Sequence, residues 1–209
     1  MTGPSTEPSR EELRRQRREQ MSTRYDEVQR TAESRAKMRR NVTIGAVVGV
    51  MLLIVGGLAF AVKEANAPLP GEVLADEGQA HVEVGSVINY NTYPPASGSH
   101  YPTPAPWQFF DQPVPPGYWV HNLEHGGIAV LYKCPADCEP LKNNLKALQK
   151  SLPTTKYGYP KVVMVPDDKI DGQLAVLAWR RREILPTYDE NAIRKFYNAW
   201  VGRGPEDAG

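Results

Sequence analysis

The most informative segment of this chain joins a pair of histidines to an apolar run: His121-Asn-Leu-Glu-His125-Gly-Gly-Ile128-Ala-Val-Leu-Tyr132. Its second half is a continuous apolar run bounded by a turn signal, which predicts a buried strand. Its first half places two imidazoles four residues apart, with a carboxylate between them. Two glycines join the halves, so the backbone can reverse either through a helical turn or through a tight turn before the strand begins.

All four histidines of the chain lie between positions 81 and 125. Histidine is the commonest metal ligand, and a metal ion needs several unprotonated nitrogens at about 2.0–2.1 Å. We therefore predict a site for one copper or zinc ion, with Glu124 orienting a ligand histidine. The alternative is that each histidine only makes hydrogen bonds in the core or at the surface. The predicted ligands are three histidines and a fourth upstream: His100, His121, His125 and His81.

Residues 42–62 are 21 consecutive residues without a charged side chain. About 20 apolar residues in a helix cross the hydrocarbon core of a bilayer, so a single transmembrane helix is predicted over residues 41–63. A cleaved signal peptide normally begins nearer the N-terminus and has a shorter apolar core. Basic residues from Arg35 to Arg40 precede the span. The positive-inside rule then predicts a cytoplasmic N-terminus and an extracytoplasmic C-terminal domain, anchored in the cell membrane.

The segment before this span is basic but mixed in charge. Residues 1–41 hold eleven Arg and Lys against seven Asp and Glu. Acidic residues are interspersed and Tyr25 is the one aromatic, so no nucleic-acid partner is predicted. Residues 1–40 are expected to form a solvated cytoplasmic arm, partly helical or disordered. Within the span, Gly45 and Gly49 can let two helices approach closely, so a homodimer or a membrane protein is predicted as a partner beside the lipid bilayer.

The C-terminal part is predicted to be an α+β domain over residues 76–206, after a linker at 64–75. Prolines and glycines before the histidine pair predict an ordered aromatic loop with short strands at 82–84 and 87–90. Downstream patterns predict the order β–α–β–β–α, with helices packed on one side of a small mixed sheet. Residues 203–209 are expected to fray. The predicted strands lie at 128–132, 161–165 and 174–179, and the helices begin at Pro140 and after a capping box at Thr187–Glu190.

Cys134 and Cys138 are the only cysteines of the chain. Outside the cytoplasm such pairs persist as disulfides. Their position between a strand and a helix resembles redox and copper-relay members of the thioredoxin superfamily, where a helix N-terminus stabilises a thiolate. No helix is predicted between the last two strands, so that fold would be incomplete. The pair is predicted to be either a structural disulfide at the start of the helix or a redox pair.

Two other functions stay open. The string from His121 to His125 matches the His-x-x-Glu-His pattern of one zinc-peptidase class, in which the glutamate is a general base on a long helix. The flanking residues 118–120 and Gly126-Gly127 do not suit a long helix, so no catalytic residue is assigned and the chain is not classed as an enzyme. The other alternative is a non-catalytic interaction module that docks through exposed aromatic side chains: Trp107, Phe109, Phe110, Tyr118 and Trp119.

Several strings together resemble a bacterial, largely actinobacterial, family catalogued as domain of unknown function 3105. The resemblance covers about residues 76–206 and implies one membrane anchor followed by one exported domain. It marks His100, His121, Glu124 and His125 as motif positions, and it implies no activity. Family members often have proline before the histidine at position 100, where this chain has Ser99. The strings are Tyr90-Asn-Thr-Tyr-Pro-Pro-Ala-Ser-Gly-Ser-His100-Tyr, His121-Asn-Leu-Glu-His-Gly-Gly127, Cys134-Pro-x-x-Cys138-x-x-Leu141 and Ala178-Trp179.

Overall fold

The computed structural model describes residues 10–65, 68–134 and 138–209. The chain divides into two compact units, residues 1–67 and 68–209. Residues 1–9 of the predicted cytoplasmic arm and residues 66–67 of the predicted linker lie outside the described part of the chain. The division agrees with an anchor followed by one domain, while the detailed domain boundaries stay a prediction.

The first unit contains one long helix, α1 (Arg10–Ala65), which runs through both the basic arm and the apolar segment. The helix is long and apolar enough to cross a membrane, a property that a signal sequence can share, and its apolar window has no buried residue. A helix whose apolar side chains face outward all round suits a lipid environment. Gly45 and Gly49 have no other described atom within 4 Å of an added β-carbon, so self-association stays a prediction.

The second unit is built on a five-stranded mixed sheet. Its strands are β1 (Glu72–Val73), β2 (Ile128–Tyr132), β3 (Val162–Pro166), β4 (Leu174–Ala178) and β5 (Arg181–Leu185). Their order across the sheet is β1-β5-β4-β2-β3. Strand β2 runs parallel to β3, and the remaining pairs are antiparallel. The predicted α+β class with a small mixed sheet is confirmed, and β1 and β5 are strands that the sequence patterns did not indicate.

Three helices cover the sheet: α2 (Pro116–Glu124), α3 (Glu139–Ser151) and α4 (Glu190–Trp200). Strand side chains alternate between the two faces, so Ile128 and Val130 of β2 join one apolar cluster while Ala129 and Leu131 join another. The first cluster contains the buried leucines of α3 and the aromatic residues of α4. The second contains the apolar residues of α2. The helices therefore lie on both faces rather than on one.

The helices of the first face begin and end close to where the sequence patterns indicate. Helix α3 has proline in its first turn and buries Leu141, Leu145 and Leu148. Helix α4 buries one apolar face, formed by Ile193, Phe196, Tyr197 and Trp200. Its N-cap is Asp189, whose carboxylate accepts a hydrogen bond from the Ala192 N–H at 3.0 Å. The capping box predicted at Thr187 is therefore wrong by two residues, because the aspartate satisfies the free N–H of the first turn.

The second face is covered by α2 and by an irregular segment, residues 82–115, which we call the proline-rich loop. The strands predicted at 82–84 and 87–90 do not form. Val84 and Val87 are exposed, so these residues have no apolar layer to face. Helix α2 was also not predicted. Pro116 occupies its first turn, where a missing N–H costs nothing, and so the prolines that end the loop also begin the helix.

Candidate metal centre

Main-chain pairing brings His81 and His100 together. The two residues form an isolated parallel bridge, in which the His100 N–H donates to the Ala80 carbonyl at 3.0 Å and the Val82 N–H to the His100 carbonyl at 2.9 Å. Their ring centroids lie 4.8 Å apart. His100 is fully buried, whereas 46% of the His81 side chain is exposed. One ring is thus held inside the domain and the other faces solvent.

Helix α2 adds two further groups, His121 and Glu124, which lie on one face because they are three residues apart. Both side chains are buried. The His121 ring centroid lies 5.1 Å from that of His81 and 5.0 Å from that of His100. His125 caps the C-terminal end of the helix, and its ring centroid lies 4.5 Å from that of His121. The histidine pair therefore converges from one helical turn.

The two glycines after the pair turn the chain into β2. Gly126 has φ of +74°, which is strained for any residue with a side chain. A β-carbon on Gly127 would lie 2.3 Å from the Trp107 ring, so the indole packs directly on the backbone. This turn keeps the end of α2 next to the start of β2, where the candidate ligands meet.

Four ligand atoms, one each from His81, His100, His121 and Glu124, lie within 4.8 Å of one another. The Glu124 carboxylate oxygen is 2.9 Å from His100 Nε2 and 3.6 Å from His81 Nε2. Ligands at about 2.0–2.1 Å around a tetrahedral ion lie about 3.3 Å apart. The group can therefore hold a metal ion after small side-chain movements.

Main-chain carbonyls fix the tautomer of the two buried rings. The Gly98 carbonyl oxygen lies 2.8 Å from His100 Nδ1, and the Tyr101 carbonyl oxygen lies 2.6 Å from His121 Nδ1. A carbonyl oxygen only accepts hydrogen bonds, so each Nδ1 must carry the proton. In a neutral ring Nε2 then has the free lone pair. Metal-ligating histidines are usually held in this way by a hydrogen bond from the other ring nitrogen.

The contact between His100 and Glu124 needs either one proton, on the ring or on the carboxyl group, or a metal cation. If both groups carried only lone pairs at the contact, two acceptors 2.9 Å apart would repel each other. A second proton on His100 would give a buried ion pair, and a metal cation between the groups would also satisfy both. Burial of a carboxylate is costly without such a partner. One proton or one metal ion at this position would therefore satisfy both groups.

A second group contains Glu124, His125 and Glu206, whose ligand atoms also lie within 4.8 Å of one another. Glu206 lies in the segment expected to fray, and this expectation is wrong because its N–H donates to the Glu124 carbonyl at 3.0 Å. Sequence reasoning missed Glu206. The one local signal was the pair Gly202 and Gly204, since glycine permits a close approach of backbone to backbone. Nothing in the spacing connects these residues to the histidines.

Burial lowers the pKa of both histidines of the pair. The main cause for His121 is loss of water around the imidazolium form, partly opposed by its hydrogen bond to the Tyr101 carbonyl. The pKa of His125 is lowered chiefly by burial too, and the carboxylate of Glu206 acts in the opposite direction. Lowered pKa values keep both rings neutral near pH 7, as metal binding requires.

The sulfur-containing side chains lie elsewhere. Met164 is fully buried in the cluster beneath α3 and α4, where it packs in the core. Cys134 and Cys138 form a disulfide, and both pack against that same cluster. Of the candidate docking aromatics, Trp119 is buried and the other four are half-buried. The donors of the candidate centre are therefore imidazole nitrogens and carboxylate oxygens.

The profile of a family described as "Protein of unknown function (DUF3105)" matches residues 81–209. This chain therefore belongs to that family, and the matched region contains all four histidines together with Glu124 and Glu206. No curated protein and no solved structure gives a match to the chain.

Proposed function

We propose that this protein binds a transition-metal ion through His81, His100, His121 and Glu124. The observation that supports the proposal is the pair of buried imidazoles whose Nδ1 atoms are committed to main-chain carbonyls. Their Nε2 lone pairs then meet beside a buried carboxylate. Each Nε2 faces another possible ligand rather than a main-chain group: His100 Nε2 lies 2.9 Å from the Glu124 carboxylate, and His121 Nε2 lies 3.0 Å from His125 Nε2.

Copper(II) and zinc(II) suit this donor set, because imidazole binds both and there is no thiolate in the group. For a given set of nitrogen and oxygen ligands, divalent copper binds more tightly than zinc in the Irving–Williams order. We therefore expect copper to displace zinc from the purified protein. Equal retention of zinc in the presence of equimolar copper would contradict the assignment to copper while leaving a metal site.

The proposed role is metal binding or delivery at the cell surface. His81 is the exposed member of the group, with 46% of its side chain accessible. A ligand that can swing away into solvent offers an incoming or outgoing ion a route, while the other three groups stay in place. Four protein ligands around one ion also leave no open coordination position, and catalytic zinc sites keep one. This supports binding or delivery over hydrolysis.

The proposed location is the cell membrane, with α1 as a single span and the domain outside. The basic residues before the span support a cytoplasmic N-terminus, and the disulfide is typical of oxidising compartments. Protease treatment of intact cells should remove the domain at residues 68–209 and spare an epitope placed before Arg10. Protection of the domain would contradict the orientation.

The test of the metal site is metal retention by the full chain in detergent. The wild type, loaded with copper(II) or zinc(II) and dialysed, should retain at least one equivalent by elemental analysis. The double variant His100→Gln with His121→Gln should retain at least one equivalent less, because glutamine keeps much of the volume but is a poor ligand. Retention equal to that of the wild type would exclude this site.

A matched control removes a carboxylate that lies far from the site. Glu139→Gln changes the first residue of α3 and should leave metal retention unchanged. Circular dichroism of both variants separates loss of metal from loss of fold. The double variant should keep the far-ultraviolet spectrum of the wild type.

A further inference from the structure

The chain after α4 folds back over the end of α2. We call residues 202–209 the C-terminal tail. The Gly202 N–H donates to the Gly126 carbonyl at 2.8 Å, and the Glu206 N–H donates to the Glu124 carbonyl at 3.0 Å. A β-carbon on Gly204 would lie 2.1 Å from the Glu124 carbonyl oxygen, so backbone packs on backbone here. The tail is therefore attached by main-chain contacts to the residues that flank the histidine pair.

A buried lysine adds a further attachment. The Lys161 side chain is 1% exposed, and its Nζ donates to the His125 carbonyl at 2.7 Å and to the Ala208 carbonyl of the tail. One ammonium group thus joins the end of α2 to the end of the tail. The position of Glu206 between these attachments is set by the fold.

This docking brings the Glu206 carboxylate to His125. The Glu206 oxygen lies 3.4 Å from His125 Nε2, and one ligand atom each from Glu124, His125 and Glu206 lie within 4.8 Å of one another. Two carboxylates and one imidazole in such a group are ligands that divalent transition-metal ions accept. Glu124 belongs to this group and also to the group of His81, His100 and His121.

His125 differs from its neighbours in what holds its ring. Its Nδ1 is buried and has no hydrogen-bond partner among the described residues, whereas main-chain carbonyls engage Nδ1 of His100 and His121. Its Nε2 lies 3.0 Å from His121 Nε2. Two neutral imidazoles can share one proton there, but the ring then leaves a buried nitrogen unpaired. No described group thus holds Nδ1 of His125, while Nε2 is the nitrogen that faces both Glu206 and His121.

We infer that Glu124, His125 and Glu206 hold a second divalent transition-metal ion, with Glu124 bridging the two ions. This inference rests on the proposed function, since the first ion shares the bridging carboxylate. Paired metal ions in proteins lie about 3.5–4 Å apart, a separation that the two oxygens of one carboxylate can span. The second ion has three protein ligands and thus an open coordination position, in contrast to the first.

The experiment counts metal in the full chain in detergent. The wild type, saturated with copper(II) and freed of excess ion, should hold two equivalents by elemental analysis. Glu206→Gln should hold one, because the amide removes the charged ligand while the main-chain hydrogen bond of residue 206 stays. The control is Asp207→Asn, the adjacent carboxylate, which pairs with Lys156 and should leave two equivalents.

Electron paramagnetic resonance gives a second measurement. Two adjacent copper(II) ions couple magnetically and lose the signal of an isolated ion, so Glu206→Gln should gain that signal relative to the wild type. One equivalent in the wild type, or two in Glu206→Gln, would overturn the second ion and leave the first. A fall to one equivalent in Asp207→Asn would also overturn it, since the loss would then follow tail docking. No retained metal in the wild type would overturn the proposed function itself.

Discussion

The two faces of the sheet are covered by different kinds of structure. On one face, α3 and α4 bury regular apolar stripes against Ile128, Val130 and their neighbours. On the other, the proline-rich loop and the short helix α2 cover a second apolar cluster, and they place buried histidines and a carboxylate at its margin. The first face gains its stability from apolar burial, which has no directional requirement. The second depends on specific hydrogen bonds.

The irregular face is where this fold can hold buried polar groups. An irregular loop leaves backbone carbonyls free to bind side chains, and Gly98 and Tyr101 use theirs to orient His100 and His121. Helix carbonyls are largely occupied by their own hydrogen bonds. The candidate metal centre therefore lies on the face where the backbone is irregular.

The face of the sheet that is covered by α3 and α4, which we call the helical face, should contribute most of the stability of the domain. Phe196 is fully buried in its cluster, so Phe196→Ala should lower the free energy of unfolding by about 3–5 kcal/mol. Urea denaturation of the full chain in detergent measures this. Asn198→Ala, an exposed position on the same helix, should change stability by less than about 0.5 kcal/mol. Equal effects of the two substitutions would show that this face is not a packed core.

The face covered by the proline-rich loop and α2, which we call the loop face, should lose stability when one side-chain amide is removed. Asn122 is fully buried, and its side chain accepts from the Ala105 N–H at 2.9 Å and donates to the Ala105 carbonyl at 2.8 Å. Asn122→Ala removes the partner of the Ala105 carbonyl and leaves the Ala105 N–H with only a 3.4 Å contact to the Tyr118 carbonyl, which should cost about 1–3 kcal/mol. It should also reduce metal retention, because the amide ties the loop to α2.

The matched control for that substitution is Asn144→Ala, at an exposed position of α3. It should change neither stability nor metal retention. If Asn122→Ala lowered stability and kept all its metal, the centre would not depend on the attachment of the loop.

Removal of the disulfide should lower the stability of the domain without affecting metal binding. Cys134 and Cys138 pack with the helical face, and the loop that they close is short. The double substitution to serine should therefore cost about 2 kcal/mol and leave metal retention unchanged. A loss of copper in this variant would instead support the interpretation of the cysteines as a copper-relay pair. Elemental analysis and urea denaturation of the same sample distinguish these outcomes.

The smallest expected effect is a dependence of stability on pH in the metal-free protein. Burial lowers the pKa of His121 and His125 in the folded state, while in the unfolded chain histidine titrates near about 6.5. As pH falls through about 6.5, the unfolded chain binds protons first. The stability that neutral histidines allow is therefore full above this pH and is lost below it.

Urea midpoints at pH 7.5 and 5.5 measure this dependence. The variant His121→Asn with His125→Asn should show a smaller decrease between the two values than the wild type. The comparison cancels the contribution of titrating groups that do not interact with these two rings. An equal decrease would mean that these two rings keep ordinary pKa values.

The sequence predicts the helical face far better than the loop face. Strands β2, β3 and β4 are indicated by continuous apolar runs, since they are buried on both faces. Helices α3 and α4 are indicated by apolar periodicity, since each buries one face. Strand β5 was not predicted, because its residues Arg181–Leu185 are mostly half-exposed and include charged side chains. Helix α2 was not predicted, because it is short and begins in a proline-rich segment, where local propensity favours extended structure.

For the candidate centre, the clustering of histidines in sequence predicts the residues but not their grouping. His81, His100 and His121 share one group with Glu124, while His125 falls in the other. The sequence assigned Glu124 to orient a ligand, and the geometry places its oxygen among the ligand atoms. Reasoning from the sequence could not identify Glu206, because only the tertiary contact of the C-terminal tail with α2 brings its carboxylate near His125. The site residues stay predictions until metal is measured.

The indole ring of Trp179 lies edge to face with His100, with 6.4 Å between the ring centroids. A paramagnetic ion on that imidazole would quench the fluorescence of this tryptophan, whereas a closed-shell ion such as zinc would leave most of it. The chain thus contains an intrinsic optical reporter at its most buried histidine. Titration of Trp179→Phe with copper(II) should show a smaller loss of emission than the wild type, and an equal loss would mean that the ion binds elsewhere.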